Sequence, residues 1–179
     1  MIYYFGDGHL GHVNVIKHDE RPFSSIGEND KTLIKNYNSV VNDNDDVYIV
    51  GDLFFRNNYN VEDILKKLKG KKHLIVGNHD TKWMKQIDLS KYFVEIDKMT
   101  TVKDNNRTVV ICHYPLAEWD GYFRGTYHVY AHIHNNINET YNFMKTRERA
   151  LNCGCMINGY RPVTLDELIK NNKEFICKH

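Results

Sequence analysis

The chain repeatedly ends a short β-prone run on a polar or glycine-containing cluster: "IYYF" stops at Gly6-Asp7, "VYIV" at Gly51-Asp52, "LIV" at Gly77-Asn78 and "VVIC" at His113. Strand ends therefore carry the polar residues. Helix-like stretches lie between them. Leu33, Ile34, Tyr37, Val40 and Val41 follow helical spacing, and Ile64, Leu65 and Leu68 do so more weakly before a stop at Gly70. The alternation predicts a β-α-β-α-β arrangement with a parallel sheet, an α/β fold.

After about residue 93 the pattern changes to closely spaced strands, "YFVEI", "MTTVK", "RTVVIC", "HVYAHI", "ETYNF" and "ALNC", separated by turn residues such as Asp104-Asn105-Asn106. A second sheet is expected there. A last helix starts at Thr164, where T-x-x-E with Glu167 makes a capping box and Leu165, Leu168 and Ile169 supply an apolar face. With 179 residues, 41% hydrophobic and 26% charged, the chain suits one domain over 1–179 around a single continuous interior. It contains no repeat or low-complexity tract.

A net charge of +1 argues against a general affinity for nucleic acid or anionic membrane, so nucleic acid enters only as a substrate. No apolar stretch approaches a membrane span and "MIYYFGDGH" lacks the pattern of a signal peptide, so a cytoplasmic location is expected. Cys112, Cys153, Cys155 and Cys177 are too few and too irregular for a disulfide framework and are expected to be reduced.

In open α/β sheets, ligands bind beyond the carboxyl ends of the strands. Collected in order, the clusters there are Asp7-x-His9, Gly51-Asp52, Gly77-Asn78-His79-Asp80, His113 and His132-x-His134. They offer carboxylate, amide and imidazole donors without thiolate, a set that suits Mn, Fe, Zn and related divalent ions. Each pair at i and i+2 faces one side in an extended chain, which would turn both members of Asp7-x-His9 and of His132-x-His134 toward one site. A single histidine at a strand end is ordinarily a packed residue; five clusters in this order point to a metal centre.

This ordered set, D-x-H, G-D, G-N-H-D, H and H-x-H, resembles the calcineurin-like metallophosphoesterases, and the tail "GYRPVTLDELI" is similar to the end of small bacterial and phage members. The resemblance runs from Asp7 to His134 and implies two mixed sheets packed face to face and flanked by helices, a four-layer sandwich. It implies two divalent ions (Mn, Fe, Zn, Ni or Mg), one on Asp7, His9, Asp52 and His134, the other on Asp52, Asn78, His113 and His132, with Asp52 bridging. Gly8 and Ala131 depart from residues common in the family at those positions, and neither change removes a ligand.

Two such ions, about 3.5–4 Å apart, generate a bridging hydroxide and neutralise phosphate oxygens, which implies phosphoester hydrolysis. His79 is then the candidate proton donor to the leaving group, with Asp80 orienting its ring. The expected substrate is a nucleotide-like or other small phosphodiester. A phosphomonoesterase or nuclease of the same family is the alternative, and a non-catalytic scaffold a remoter one; the oligomeric state is left open. Substrate contacts are sought at His12, three residues after His9, at Arg21 and Arg56, and in the loop "YPLAEWDGYFRGTY", where Trp119 and Arg124 could stack a base and pair with a phosphate or simply pack the loop.

Overall fold

Strands β1 (Ile2–Phe5), β2 (Asp46–Ile49), β3 (Lys71–Ile75) and β4 (Phe93–Asp97) form one sheet in that order, every neighbour parallel. Strands β5 (Met99–Asp104), β6 (Arg107–Cys112), β7 (Tyr127–Tyr130) and β8 (Ala150–Asn152) form a second, in which β5 and β6 are an antiparallel hairpin and β6, β7 and β8 run parallel. This computed structural model describes residues 1–55 and 60–179, so Arg56 lies outside the described residues. The helices are α1 (Val15–His18), α2 (Ile26–Val40), α3 (Val61–Lys67), α4 (Asp80–Met84), α5 (Glu139–Met144) and α6 (Leu165–Lys178).

Alternation along the strands makes the layers. Tyr3, Phe5, Val47 and Ile49 face Leu33 and Tyr37 of α2 and Ile64 and Leu65 of α3, while Tyr4, Tyr48, Val50 and Ile75 face Val109, Ile111, Val129 and Leu151 of the second sheet. The outer face of that sheet, with Val110 and Tyr130, packs on Tyr141 and Met144 of α5. The result is the expected two-sheet sandwich flanked by helices. Its first sheet is parallel throughout its four strands. The antiparallel element there is a bridge at the free side of β1, where Tyr4 N donates to Val163 O at 2.8 Å and Val163 N to Tyr4 O at 3.1 Å.

Capping fixes the helix starts, and at α6 it is the capping box that the sequence indicates. Ser25 Oγ accepts from Glu28 N, and Thr164 and Glu167 form the reciprocal capping box. "ETYNF", read as a strand, is helix α5. Asn138 caps it by accepting from Tyr141 N, and Tyr141 and Met144, three residues apart, are its buried face while Phe143 is 42% exposed, so the apparent two-residue alternation is not one of burial. All four cysteines are free, and among the described residues no helix is long and apolar enough to cross a membrane.

His128 of β7 is an interior histidine. Its Nδ1 donates to Val110 O at 3.1 Å and its Nε2 accepts from Leu116 N at 3.1 Å, which consumes the neutral ring. Burial pushes its pKa down to about 4. Because the folded-state value lies below that of the unfolded chain, about 6.5, this contribution is fully present above pH about 6.5 and is lost as pH falls toward 4. The slope reaches at most about 1.4 kcal/mol per pH unit. Urea unfolding at pH 7 and pH 5 should show a shallower pH dependence for His128→Gln than for the wild type; equal slopes would remove His128 as the cause.

Candidate metal centre

The polar clusters gather where β1, β2 and β3 of one sheet and β6 and β7 of the other end. The backbone there is unusual. Asp7 (φ 53°), His9 (49°), Asp52 (52°), His132 (71°) and His134 (55°) all adopt left-handed conformations that cost non-glycine residues energy. The extended-chain argument for the i, i+2 pairs therefore does not hold. Left-handed turns, not pleated strands, aim Asp7 and His9 and likewise His132 and His134.

Cross-loop hydrogen bonds hold these turns. Asp7 N donates to Gly51 O at 3.2 Å, His9 N to Asp52 O at 2.9 Å, and His132 N to Asp7 Oδ1 at 3.1 Å. Gly51 and Gly77 permit the approach of the second and third loops: a Cβ on Gly51 would meet the His113 ring and lie 2.8 Å from Gly77 Cα, and one on Gly77 would meet the Asp52 carboxylate and lie 2.7 Å from Asp52 N.

Side-chain atoms of Asp7, His9 and His134 fall within 4.8 Å of one another, as do those of Asp7, Asp52 and His113. Asp52 Oδ2 lies 3.6 Å from His9 Nε2, 3.6 Å from His113 Nε2 and 3.9 Å from His79 Nε2. His132 sits beside His113, with ring centroids 5.1 Å apart, and also against Tyr114. Asn78 Oδ1 is 3.0 Å from His113 Nε2. The expected ligand positions thus face one small volume.

The polar atoms in that volume fit a cation. His113 Nδ1 must donate to Val50 O at 2.9 Å, since a carbonyl only accepts, so its Nε2 lone pair points at the Asn78 amide oxygen. His134 Nδ1 pairs with Asp19 Oδ1 at 2.6 Å, and its Nε2 then lies 3.1 Å from His9 Nε2. The first contact sets two electron-rich atoms against each other and calls for an electropositive centre between them, whereas the second is a hydrogen bond when His9 carries its proton on Nε2. Asp7 Oδ2 and His9 Nδ1 are moreover buried without a hydrogen-bond partner, a costly condition for an unaccompanied carboxylate. Burial raises the Asp7 pKa and holds that of His9 well below the ordinary value.

A supporting network around these residues has no sequence motif. Burial opposes charge on both His134 and Asp19, yet their mutual hydrogen bond, helped by Asp7 at His134 and by Arg21 at Asp19, raises the His134 pKa and lowers that of Asp19. This carboxylate fixes the histidine tautomer and ring orientation. Asn152 Nδ2 holds the His134 carbonyl at 2.8 Å.

Several expected site residues do something else. Arg21, sought as a phosphate contact, is buried and its five N–H donors are occupied. They reach Asp19 Oδ2 (2.9 and 2.8 Å), Asn29 Oδ1 (3.2 Å) and the carbonyls of Gly8 (3.0 Å) and Asp7 (2.9 Å). It braces the first loop. Trp119 is buried, donates Nε1 to Thr126 O at 2.9 Å and packs on Tyr122 and His128, which is the packing role. Arg124 makes an exposed pair with Asp120. Asp80 does not orient the His79 ring: its Oδ2 accepts from Asp52 N and Gly77 N, both 2.8 Å, and its Oδ1 from Leu53 N (3.1 Å) and Trp83 Nε1 (2.8 Å).

His79 itself is at the rim, its side chain 40% exposed, with its ring edge on Phe55. Its backbone N–H donates to Asp52 Oδ1 at 2.8 Å. His12 stacks on that same phenyl ring, centroids 3.6 Å apart, and burial lowers its pKa to about 4. It walls the site.

A protein of Methanocaldococcus jannaschii, MJ1445, is 34% identical over 171 residues, covering 94% of this chain and 89% of its own length. The chain belongs to the MJ1445 family. The crystal structure of AQ665 from Aquifex aeolicus, a protein of unknown function, superposes on 95% of the chain and 98% of its own with a TM-score of 0.74 and 24% identity, so AQ665 and this MJ1445 relative share a fold. No family model matches the chain. YfcE, a phosphoesterase from E. coli, overlaps 74% of the chain and 69% of its own with a TM-score of 0.38 and 14% identity, too loose a likeness to bear on chemistry.

Proposed function

We propose that this chain is a metal-dependent phosphoester hydrolase, and within that class a phosphodiesterase for nucleotide-like or other small diesters. The observation that carries the reading is the position of Asp52 Oδ2, 3.6 Å from the Nε2 atoms of both His9 and His113, where one carboxylate can serve two cation positions. Asp7, His9 and His134 would complete the first, and Asn78, His113 and His132 the second. Bound there, divalent ions supply Lewis-acid polarisation of the phosphoryl oxygens and lower the pKa of water.

The chain's own residues do the rest. Asp19 and the Val50 carbonyl keep His134 and His113 in the tautomers that present Nε2 to the site. Neutral imidazoles, rather than further carboxylates, leave the centre electropositive enough to draw in a phosphate. His79, beside Asp52 yet open to solvent, would give a proton to the departing oxygen.

The test is metal analysis followed by turnover of a generic phosphodiester and a generic phosphomonoester with Mn, Ni, Zn and Mg. Two ions per chain and faster diester cleavage are expected; absence of turnover with every ion would overturn the reading. Asp52→Asn should lose both ions together in the same analysis, whereas retention of two tightly held ions would sink the bridging role.

A further inference from the structure

Beside the metal centre lies a cavity of about 220 Å³ lined, among the described residues, by Phe55, Asn78, His79 and Lys82. Its position on the local sequence "NHDTKW" follows from helical spacing. Asp80 and Trp83 are buried and hydrogen-bonded to each other on the inner side of α4. His79 and Lys82, also three apart, form the outer side that lines the cavity.

The chemistry of this wall differs from that of the centre next to it. Asp7 and Asp52 supply the negative charge there, whereas the described residues lining the cavity give it an aromatic ring, an amide, an imidazole and an ammonium and no carboxylate. Among the described residues Lys82 has no anionic partner. The cavity therefore attracts a second anion at the side of the site where His79 meets the leaving group, about one helical turn from that histidine. Phe55, braced by the stacked His12 ring, offers a surface for the carbon frame between the two anions.

We infer that the Phe55–Asn78–His79–Lys82 cavity is a subsite for a leaving group that itself carries a phosphate, with Lys82 as its specificity-determining contact. This rests on the phosphoesterase reading above and names its substrate class: esters whose departing alcohol is phosphorylated, whether a small bisphosphate or a nucleotide chain.

Two matched substrate pairs separate these sources: methyl propyl phosphate with and without a phosphate on the far end of the propyl arm, and dithymidylate with and without a terminal phosphate at either end. The phosphorylated member should be preferred about tenfold in kcat/KM, chiefly through KM, in whichever pair matches the true source. Lys82→Ala should reduce that preference to about twofold or less, and Lys82→Arg should keep it. A second readout needs no turnover. NMR titration with propyl phosphate should shift the Lys82 and Phe55 signals in the wild type and leave the Phe55 signals unmoved in Lys82→Ala. If no ester is cleaved but propyl phosphate still binds at Lys82, the hydrolase reading falls and the anion subsite stands. If the esters are cleaved with the same preference in wild type and Lys82→Ala, or propyl phosphate binds both proteins alike, the subsite is overturned.

Discussion

Asp80→Ala is expected to destabilise the protein by at least about 4 kcal/mol, because it strands four donors at once. The Asp80 carboxylate accepts from the backbone of Asp52, Leu53 and Gly77 and from the Trp83 indole, all in the interior. A typical unsatisfied buried donor costs about 1–3 kcal/mol, and water entering the space left by the carboxylate recovers part of it. Asn is no remedy, since its amide nitrogen would face N–H groups while its one oxygen serves at most two of them. Asp80→Asn should therefore lose about 2 kcal/mol and remain folded. Urea unfolding of the metal-stripped proteins measures both without contributions from bound ions. A loss under about 1 kcal/mol for Asp80→Ala would show that the clamp is dispensable.

Asp80 also illustrates what was legible in the sequence. Its place in G-N-H-D marked it as important, but adjacency to His79 suggested a chemical partnership that a helical turn forbids: consecutive residues at the start of α4 point to different sides, one inward to Trp83 and one outward to the cavity. The β-runs and their polar ends were readable because they are local, as was the capping box of α6. "ETYNF" misled because two aromatics at i and i+2 look like a strand face, and only burial distinguishes Tyr141 from Phe143.

The supporting network was not readable for a different reason. Asp19 lies 115 residues from His134 in the chain, and Asn152 lies 18 from it; no periodicity joins such pairs. Arg21, near the first motif and positively charged, carried the composition of a phosphate contact, and only its five occupied donors reveal a brace. The left-handed turns left no more than a hint in the glycines beside them. Gly6, Gly8 and Gly51 flank Asp7, His9 and Asp52, while the strained positions are themselves the carboxylates and imidazoles. Strain kept at the candidate ligands, rather than relieved by placing glycine there, is consistent with the side chains being required at those positions.

His79→Ala should preserve the fold and both ions yet lower kcat by about 10²–10⁴-fold, roughly 3–5 kcal/mol of transition-state stabilisation. The structure separates the two roles cleanly. Asp52 Oδ1 is held by the His79 backbone N–H at 2.8 Å, which alanine retains, so the carboxylate that approaches both His9 and His113 keeps its support. What disappears is an imidazole whose Nε2 stands 3.9 Å from Asp52 Oδ2 at the open rim. If that ring delivers the proton, the defect depends on how badly the leaving oxygen needs one. Nitrophenolates depart without protonation, so their esters should be cleaved by His79→Ala at close to the wild-type rate, while alkyl esters should show nearly the full loss. Kinetics across a leaving-group series, with metal content measured on the same samples, decide between mechanisms. A loss uniform across the series would assign His79 to stabilising the phosphoryl oxygens instead, and an unchanged kcat on alkyl esters would remove the imidazole from the chemistry.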